Sequence, residues 1–149
     1  MLSKKAKYGL KALIFLAKEK RETPIMISEI SEKEKIPKKF LEVILLELKK
    51  DGILQSTLGK SGGYNLRQDP NDINMGHVIR LFDGPVALTP CVTYKYYRKC
   101  DECTDEETCS IRSLMKDLRE VTVNLLDNTT LSQMVKKEKK MVKSLARKK

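Results

Sequence analysis

All four cysteines of this 149-residue chain fall between positions 91 and 109, with the spacing Cys91-x8-Cys100-x2-Cys103-x5-Cys109. Soft thiolates gathered in one stretch select zinc, copper(I) or an iron–sulfur cluster over hard cations. Cys100 and Cys103 can face a single metal while Cys91 and Cys109 close the site. Four thiolates alone suffice for zinc or for a cluster. Thiol switching without metal is the other chemistry open to this set. Asp101, Glu102, Asp105, Glu106 and Glu107 interleave the cysteines. Negative neighbours raise thiol pKa values and disfavour a further anionic group. They also point this stretch away from a polyanion. The single histidine, His77, lies alone in a helical pattern and reads as a surface or packing residue. No general base stands in or near the cysteines and no nucleotide-binding loop occurs, so no catalytic residue is expected and the chain does not read as an enzyme.

Cysteines clustered in a chain without an export signal point to metal or thiol chemistry rather than structural disulfides. Met1-Leu2-Ser3-Lys4-Lys5 is basic, but polar and charged residues interrupt the next stretch and no signal-peptide core appears. No apolar run approaches the roughly 18 residues that span a bilayer, and mean hydropathy is -0.43. A cytoplasmic protein with no membrane partner is expected. The net charge of +10 is unevenly placed: +6 over residues 1–80, -3 over 81–133 and +7 over 134–149. Basic ends around an acidic middle suit a polyanionic partner such as nucleic acid.

The elements that would position these groups can be read from periodicity. Ala6, Leu10, Leu13, Ile14 and Ala17 recur at helical spacing over about residues 3–20. A short second helix is expected from Ser28 as N-cap, with Glu29 in its first turn, ending before Ile36-Pro37. Pro37 suits the first turn of a third helix running to about Lys50, with Phe40, Leu41, Ile44, Leu45 and Leu48 as its apolar stripe. Asp51-Gly52 stops it, Gly52 taking the left-handed position. Two helices across a tight turn, the second led by lysines, form a helix-turn-helix pattern.

Residues 53–57 and 64–67 read as short strands around Leu58-Gly59-Lys60-Ser61-Gly62-Gly63, a glycine-rich hairpin tip. A hairpin directly after such a helix is a wing. Glycines there permit close approach to a sugar-phosphate surface, and Lys60 supplies charge. Asn74 can cap a fourth helix through Phe82, ended by Gly84-Pro85. Ile111, Leu114, Met115, Leu118, Val121, Thr122 and Leu125 trace a long apolar stripe to about Asp127, suited to a dimer interface. Thr130-Leu131-Ser132-Gln133 is a capping-box sequence opening a short last helix, and Lys136 to Lys149 reads as a fraying basic tail. The expected class is mainly α with a small β-hairpin wing. Its layout is a winged helix-turn-helix domain over 1–84, a cysteine-bearing sensor loop over 85–110, a dimerisation helix with a short C-terminal helix over 111–135, and a basic tail over 136–149.

In this order and at these spacings, the chain resembles the Rrf2 family of bacterial transcription regulators, which includes iron–sulfur, nitric-oxide and cysteine-metabolism sensors. The resemblance covers roughly residues 1–135. Tyr8-Gly9-Leu10, Phe40-Leu41-Glu42, the wing Gly59-Lys60-Ser61-Gly62-Gly63-Tyr64-Asn65-Leu66, the cysteine loop and Leu131 carry it. It implies a homodimer on double-stranded DNA, with one recognition helix per subunit in a major groove and a wing against a minor groove. Pro37, Lys38 and Lys39 would then enter the groove, and Glu42 matches the position of a site-discriminating carboxylate that accepts from cytosine. With Ser28, Thr57, Lys60, Ser61, Gly62 and Tyr64 they make up the expected DNA-contact set. Many relatives carry an arginine before the first wing glycine; here that position is Leu58.

The resemblance also implies an iron–sulfur cluster, [2Fe–2S] or [4Fe–4S], on three loop cysteines and a fourth ligand that is not cysteine. Cys91, Cys103 and Cys109 fit the three best. The fourth-ligand positions correspond to Lys7 and Arg112, which cannot serve, so an all-cysteine site including Cys100 is the simplest repair. Zinc, or no metal, are the alternatives. Cluster state or thiol oxidation would act through the loop onto dimer geometry. The rival readings are a regulator sensing through a partner protein or small molecule, and a basic winged-helix module on structured RNA.

Overall fold

In the computed structural model, which describes residues 2–19, 21–59 and 61–147, six α-helices and one hairpin occur in the order α1–α3, β1–β2, α4–α6. α1 (Lys4–Glu19), α2 (Ile27–Glu34) and α3 (Lys38–Lys50) converge on a core to which α1 gives Ala12, Leu13, Phe15 and Leu16, and α3 gives Leu41, Ile44, Leu45 and Leu48. Every one of those α3 leucines and isoleucines is fully buried, so truncating one to alanine removes roughly 2–5 kcal/mol. Phe40 is the exception within the expected stripe. It stays 41% exposed and meets Tyr8 edge-on, with ring centroids 5.7 Å apart.

α2 begins earlier than expected. Met26 is its N-cap and gives no side-chain bond, so Ser28 lies within the first turn rather than capping it. The chain leaves α2 through Lys35, left-handed at φ 53°. Ser31 closes the turn by donating from Oγ to the Ile36 carbonyl at 2.7 Å. Pro37 occupies the N-cap of α3, just outside the helix, rather than its first turn. Gly52 takes φ 83° after α3, as its place in the sequence requires.

β1 (Leu54–Thr57) and β2 (Gly63–Leu66) pair antiparallel, Leu54 opposite Leu66 and Thr57 opposite Gly63. A third extended residue, Ile25, bridges Tyr64 through N–H···O bonds of 3.0 and 2.9 Å, tying the hairpin to the α1–α2 connection. α4 (Met75–Asp83) is capped by Asn74, whose side chain accepts from His77 N–H at 2.7 Å. The His77 ring meets Asp51 at 2.6 Å and is half exposed, a surface role as expected.

Residues 84–109 are irregular apart from one 3-10 turn, Pro90–Val92. α5 (Ser110–Asp127) then packs on α4, and α6 (Leu131–Ala146) returns along α1. The capping box forms: Thr130 Oγ1 accepts from Gln133 N–H and the Gln133 side chain accepts from Thr130 N–H. The last helix is not short, however. Instead of fraying at Lys136 it continues through Ala146, because its residues are strong helix formers and a satisfied cap opens it. None of the described helices is long and apolar enough to cross a membrane.

Candidate functional site

Two regions carry the chemistry. The first is the solvent face of α3 with the hairpin beside it. Burial of Leu41, Ile44, Leu45 and Leu48 leaves Lys39, Glu42, Val43 and Leu46 on the opposite side, all exposed. Their spacing of three and four residues makes them one face. Lys38 and the ring of Pro37 stand exposed at its N-terminal end. Among the described residues Lys38, Lys39 and Glu42 form no ion pair. Val43 and Leu46, at 50% and 45% exposure, are not among the residues that the sequence pattern singles out. The available signal was that both are apolar yet fall off the buried stripe.

In the hairpin, Thr57 and Ser61 are exposed, while Gly62 and Tyr64 are half-buried. Lys60 lies outside the described residues. Gly62 is required internally, since a Cβ there would run into the carbonyl of Thr57. Its N–H is also spent, donating to the Gly59 carbonyl at 2.9 Å. Tyr64 likewise uses both backbone groups on Ile25 and packs its ring against the core. Leu58 at the tip is 93% exposed. Ser28 is half-buried at the start of α2.

The second region is the cysteine loop. Cys91 is buried in the 3-10 turn and donates to Thr89 Oγ1 at 3.4 Å, whereas Cys100 is exposed and Cys103 and Cys109 are intermediate. All four are free thiols, Cys91 near Cys100 and Cys109 near Cys103, with Cys103 also close enough to act on Cys100. The Cys100 thiol is pushed up from its ordinary value chiefly by its bond to Cys91 and by the charge Cys91 can carry. Cys103 is pushed up first by partial loss of water and then by Cys109. Cys109 is the N-cap of α5, its sulfur accepting from Arg112 N–H at 3.4 Å. Among the described residues no three His, Cys, Asp or Glu side chains converge closely enough to chelate a metal ion.

Polar links brace this loop. Tyr97 OH donates to Glu106 at 2.5 Å, which holds the phenol above its usual range, first through that bond and then through loss of water. Thr108 Oγ1 donates to Asp105 at 2.8 Å, and this bond lowers the Asp105 carboxyl. Arg112 Nε is buried without a hydrogen-bond partner, its nearest acid being Glu106 at 3.8 Å. On the other side Arg119, 8% exposed on α5, donates to the Val92 carbonyl and to Tyr94 OH at 2.9 Å. Its guanidinium also stacks 4.1 Å from the Tyr94 ring centroid. Arg119 thus pins the Cys91 turn to α5. The outer face of α5 shows Ile111, Leu114, Leu118, Val121 and Leu125, each 43–68% exposed. Met115 and Thr122 turn inward against the segment after α4.

Comparison with known proteins places these features. A profile of the Rrf2 family, described as an iron-dependent transcriptional regulator, matches residues 2–137. An rrf2-like HTH-type transcriptional regulator of Rhodobacter capsulatus is 41% identical over 138 residues, covering 91% of this chain and 92% of the relative. The HTH-type transcriptional regulator IscR of Serratia proteamaculans is 30% identical, covering 95% and 82%. Among solved structures, CymR, the global cysteine regulator of B. subtilis, superposes with a TM-score of 0.75 at 29% identity over 91% of this chain and 96% of its own. IscR of T. potens gives 0.72 at 28% identity, over 93% and 88%. These relatives are transcriptional regulators and not enzymes. The chain belongs to the Rrf2 family of winged helix-turn-helix, DNA-binding transcriptional regulators.

Proposed function

We propose that this chain is a homodimeric regulator whose grip on a palindromic duplex is set by the state of Cys91, Cys100, Cys103 and Cys109. Lys38, Lys39 and Glu42, with Val43 and Leu46, read the major groove. Lysines contact phosphate or guanine, Glu42 accepts from cytosine N4, and the two apolar side chains suit a thymine methyl. Thr57, Lys60 and Ser61 place the wing on the neighbouring backbone, and Pro37 and Ser28 set the approach of α2 and α3. Gly62 and Tyr64 contribute by shaping the hairpin, since their backbone donors are already used.

The chemistry of the donor set fits an iron–sulfur cluster or zinc: four soft thiols in one segment and no disulfide. When bound, a cluster would supply oxidation-sensitive chemistry and zinc a structural clasp. The protein's own part is transmission. Arg119 connects the Cys91 turn to α5, so rearranging the thiols moves the helix that carries the exposed apolar stripe. Two half-sites must lie about 34–36 Å apart, or a multiple of that, so a small change in dimer geometry costs affinity.

The observation that carries this reading is the concentration of all four thiols in the one segment linking the DNA-binding unit to α5. Its test is iron, sulfide and zinc analysis of anaerobically purified protein, with DNA affinity of the Cys103→Ser/Cys109→Ser variant. We expect bound metal and altered affinity with folding intact. Affinity unchanged under anaerobic and oxidising conditions alike would discard the switch. The lack of three converging donors among the described residues favours one second reading, metal-free thiol chemistry between the two pairs. Absence of metal, with affinity that changes under peroxide, would select it.

A further inference from the structure

The helix that sequence periodicity leaves as a tail carries a row of cations along one face. Leu131 and Val135 anchor α6 in the domain, and Ser132 N–H donates to the Pro70 carbonyl at 3.0 Å, at the base of the hairpin. Further on, Glu138 is held by Lys18 at 2.9 Å, near the end of α1. The chain after α1 is itself tied to the second strand, Asn65 Nδ2 donating to the Glu22 carbonyl at 2.9 Å. Ser132, Lys136 and Lys139 line one wall of a groove of about 510 Å³ whose other wall includes Tyr64, Asn65 and Leu66 of β2.

Lys143 and Arg147 continue the Lys136–Lys139 row at intervals of four, and all four are exposed. At about 1.5 Å per residue the row covers roughly 16 Å. Glu138, the one acid of α6, is engaged by Lys18. Among the described residues, Lys136, Lys139, Lys143 and Arg147 form no ion pair. Arg21, across the groove, is held by Glu19 and Glu29 and adds no free charge. A row of unpaired cations that starts beside the wing strand at Lys136 and Lys139 and runs on along the helix has one natural counterpart in a DNA-binding protein, the phosphate backbone beyond the half-site.

We propose that Lys136, Lys139, Lys143 and Arg147 grip the phosphates of duplex DNA flanking each half-site, so that α6 extends the contact outward from the wing. The inference rests on the chain being a regulator of duplex DNA and adds a contact surface outside the helix-turn-helix and wing. The contact is sequence-independent and electrostatic, so it must appear in the salt dependence of binding.

The test uses full-length protein and two duplexes carrying a site selected in vitro by the wild type. One is trimmed at the half-sites and one extends about a helical turn on each side. Wild type should bind the longer duplex more tightly. The Lys136→Gln/Lys139→Gln/Lys143→Gln/Arg147→Gln variant, its helicity checked by circular dichroism, should lose that preference. Its slope of log affinity against log salt should fall by about 0.9 for each phosphate released. Lys95→Gln/Lys116→Gln removes charge from the cysteine loop and α5 and should leave the slope nearly unchanged. An unchanged slope and preference in the folded quadruple variant overturns the proposal. So does an equal loss per charge in the control. If selection with the wild type yields no duplex that it binds, the regulator reading fails first and this contact with it.

Discussion

Leu58 stands where the family resemblance implies an arginine, and it is 93% exposed at the hairpin tip. A leucine there offers no hydrogen bond to a base edge or phosphate. What it can offer is apolar area against sugar rings or a minor-groove floor, as apolar side chains of groove-binding proteins do. Leu58→Ala should therefore weaken binding without altering the salt slope, whereas Leu58→Arg should steepen it by about 0.9 if the guanidinium reaches a phosphate. Titrations of both variants on one selected duplex at several salt concentrations check this. A shallower slope in Leu58→Ala would be inconsistent with a purely apolar contact. Gly62 shows the opposite relation between identity and role. Its small size serves the hairpin, because a side chain would strike Thr57.

Among the elements, the segment between α4 and α5 is the least regular, and among the described residues its long-range side-chain hydrogen bonds to the rest come from Arg119. That guanidinium donates to Val92 O and Tyr94 OH and stacks on the Tyr94 ring. Bonds to a charged donor contribute about 1.5–3 kcal/mol each, and the acceptors left behind lose their partner. Arg119→Ala should thus release residues 90–97 at least tenfold in amide hydrogen exchange. Protection in α1, α3 and the hairpin should be retained, since the hydrogen bonds of Arg119 go to Val92, Tyr94 and Glu120. Equal loss of protection throughout would mean that Arg119 supports the whole fold and not the loop. Periodicity does not identify this residue: an arginine in a helix reads as surface until the aromatic and carbonyl groups that enclose it are placed in space.

For the whole molecule, the decisive feature is the outer face of α5. Ile111, Leu114, Leu118, Val121 and Leu125 alternate at intervals of three and four, the seam of a helix that packs on another helix. Five large apolar side chains left in water on one 18-residue helix form the contiguous patch expected of an interface. Leu118→Asp/Val121→Asp should convert the protein to a folded monomer in sedimentation velocity. The same variant should lose preference for palindromic over single half-site DNA. A variant that remains dimeric would assign the dimer contact to another surface.

The sequence alone determined the winged helix-turn-helix, because its signals are local. Helical stripes, the Gly52 stop, the Asn74 and Thr130 caps and the glycine-rich tip each depend on neighbours within a few residues. It also located the four thiols, since their crowding is visible in the spacing. It did not determine how far α6 runs, nor that Ser28 lies inside α2 with Met26 at its cap. The start of α2 depends on a distant partner, Ile25 bridging Tyr64 just before it, whereas the reach of α6 follows from local helix propensity that its run of charges masks. Tertiary structure alone turned Phe40 out of the α3 stripe, split the α5 stripe into inward and outward sets, set Cys91 near Cys100 and Cys109 near Cys103, and enclosed Arg119. Each of those outcomes is set by contacts between segments distant in sequence, whose energies no local pattern encodes.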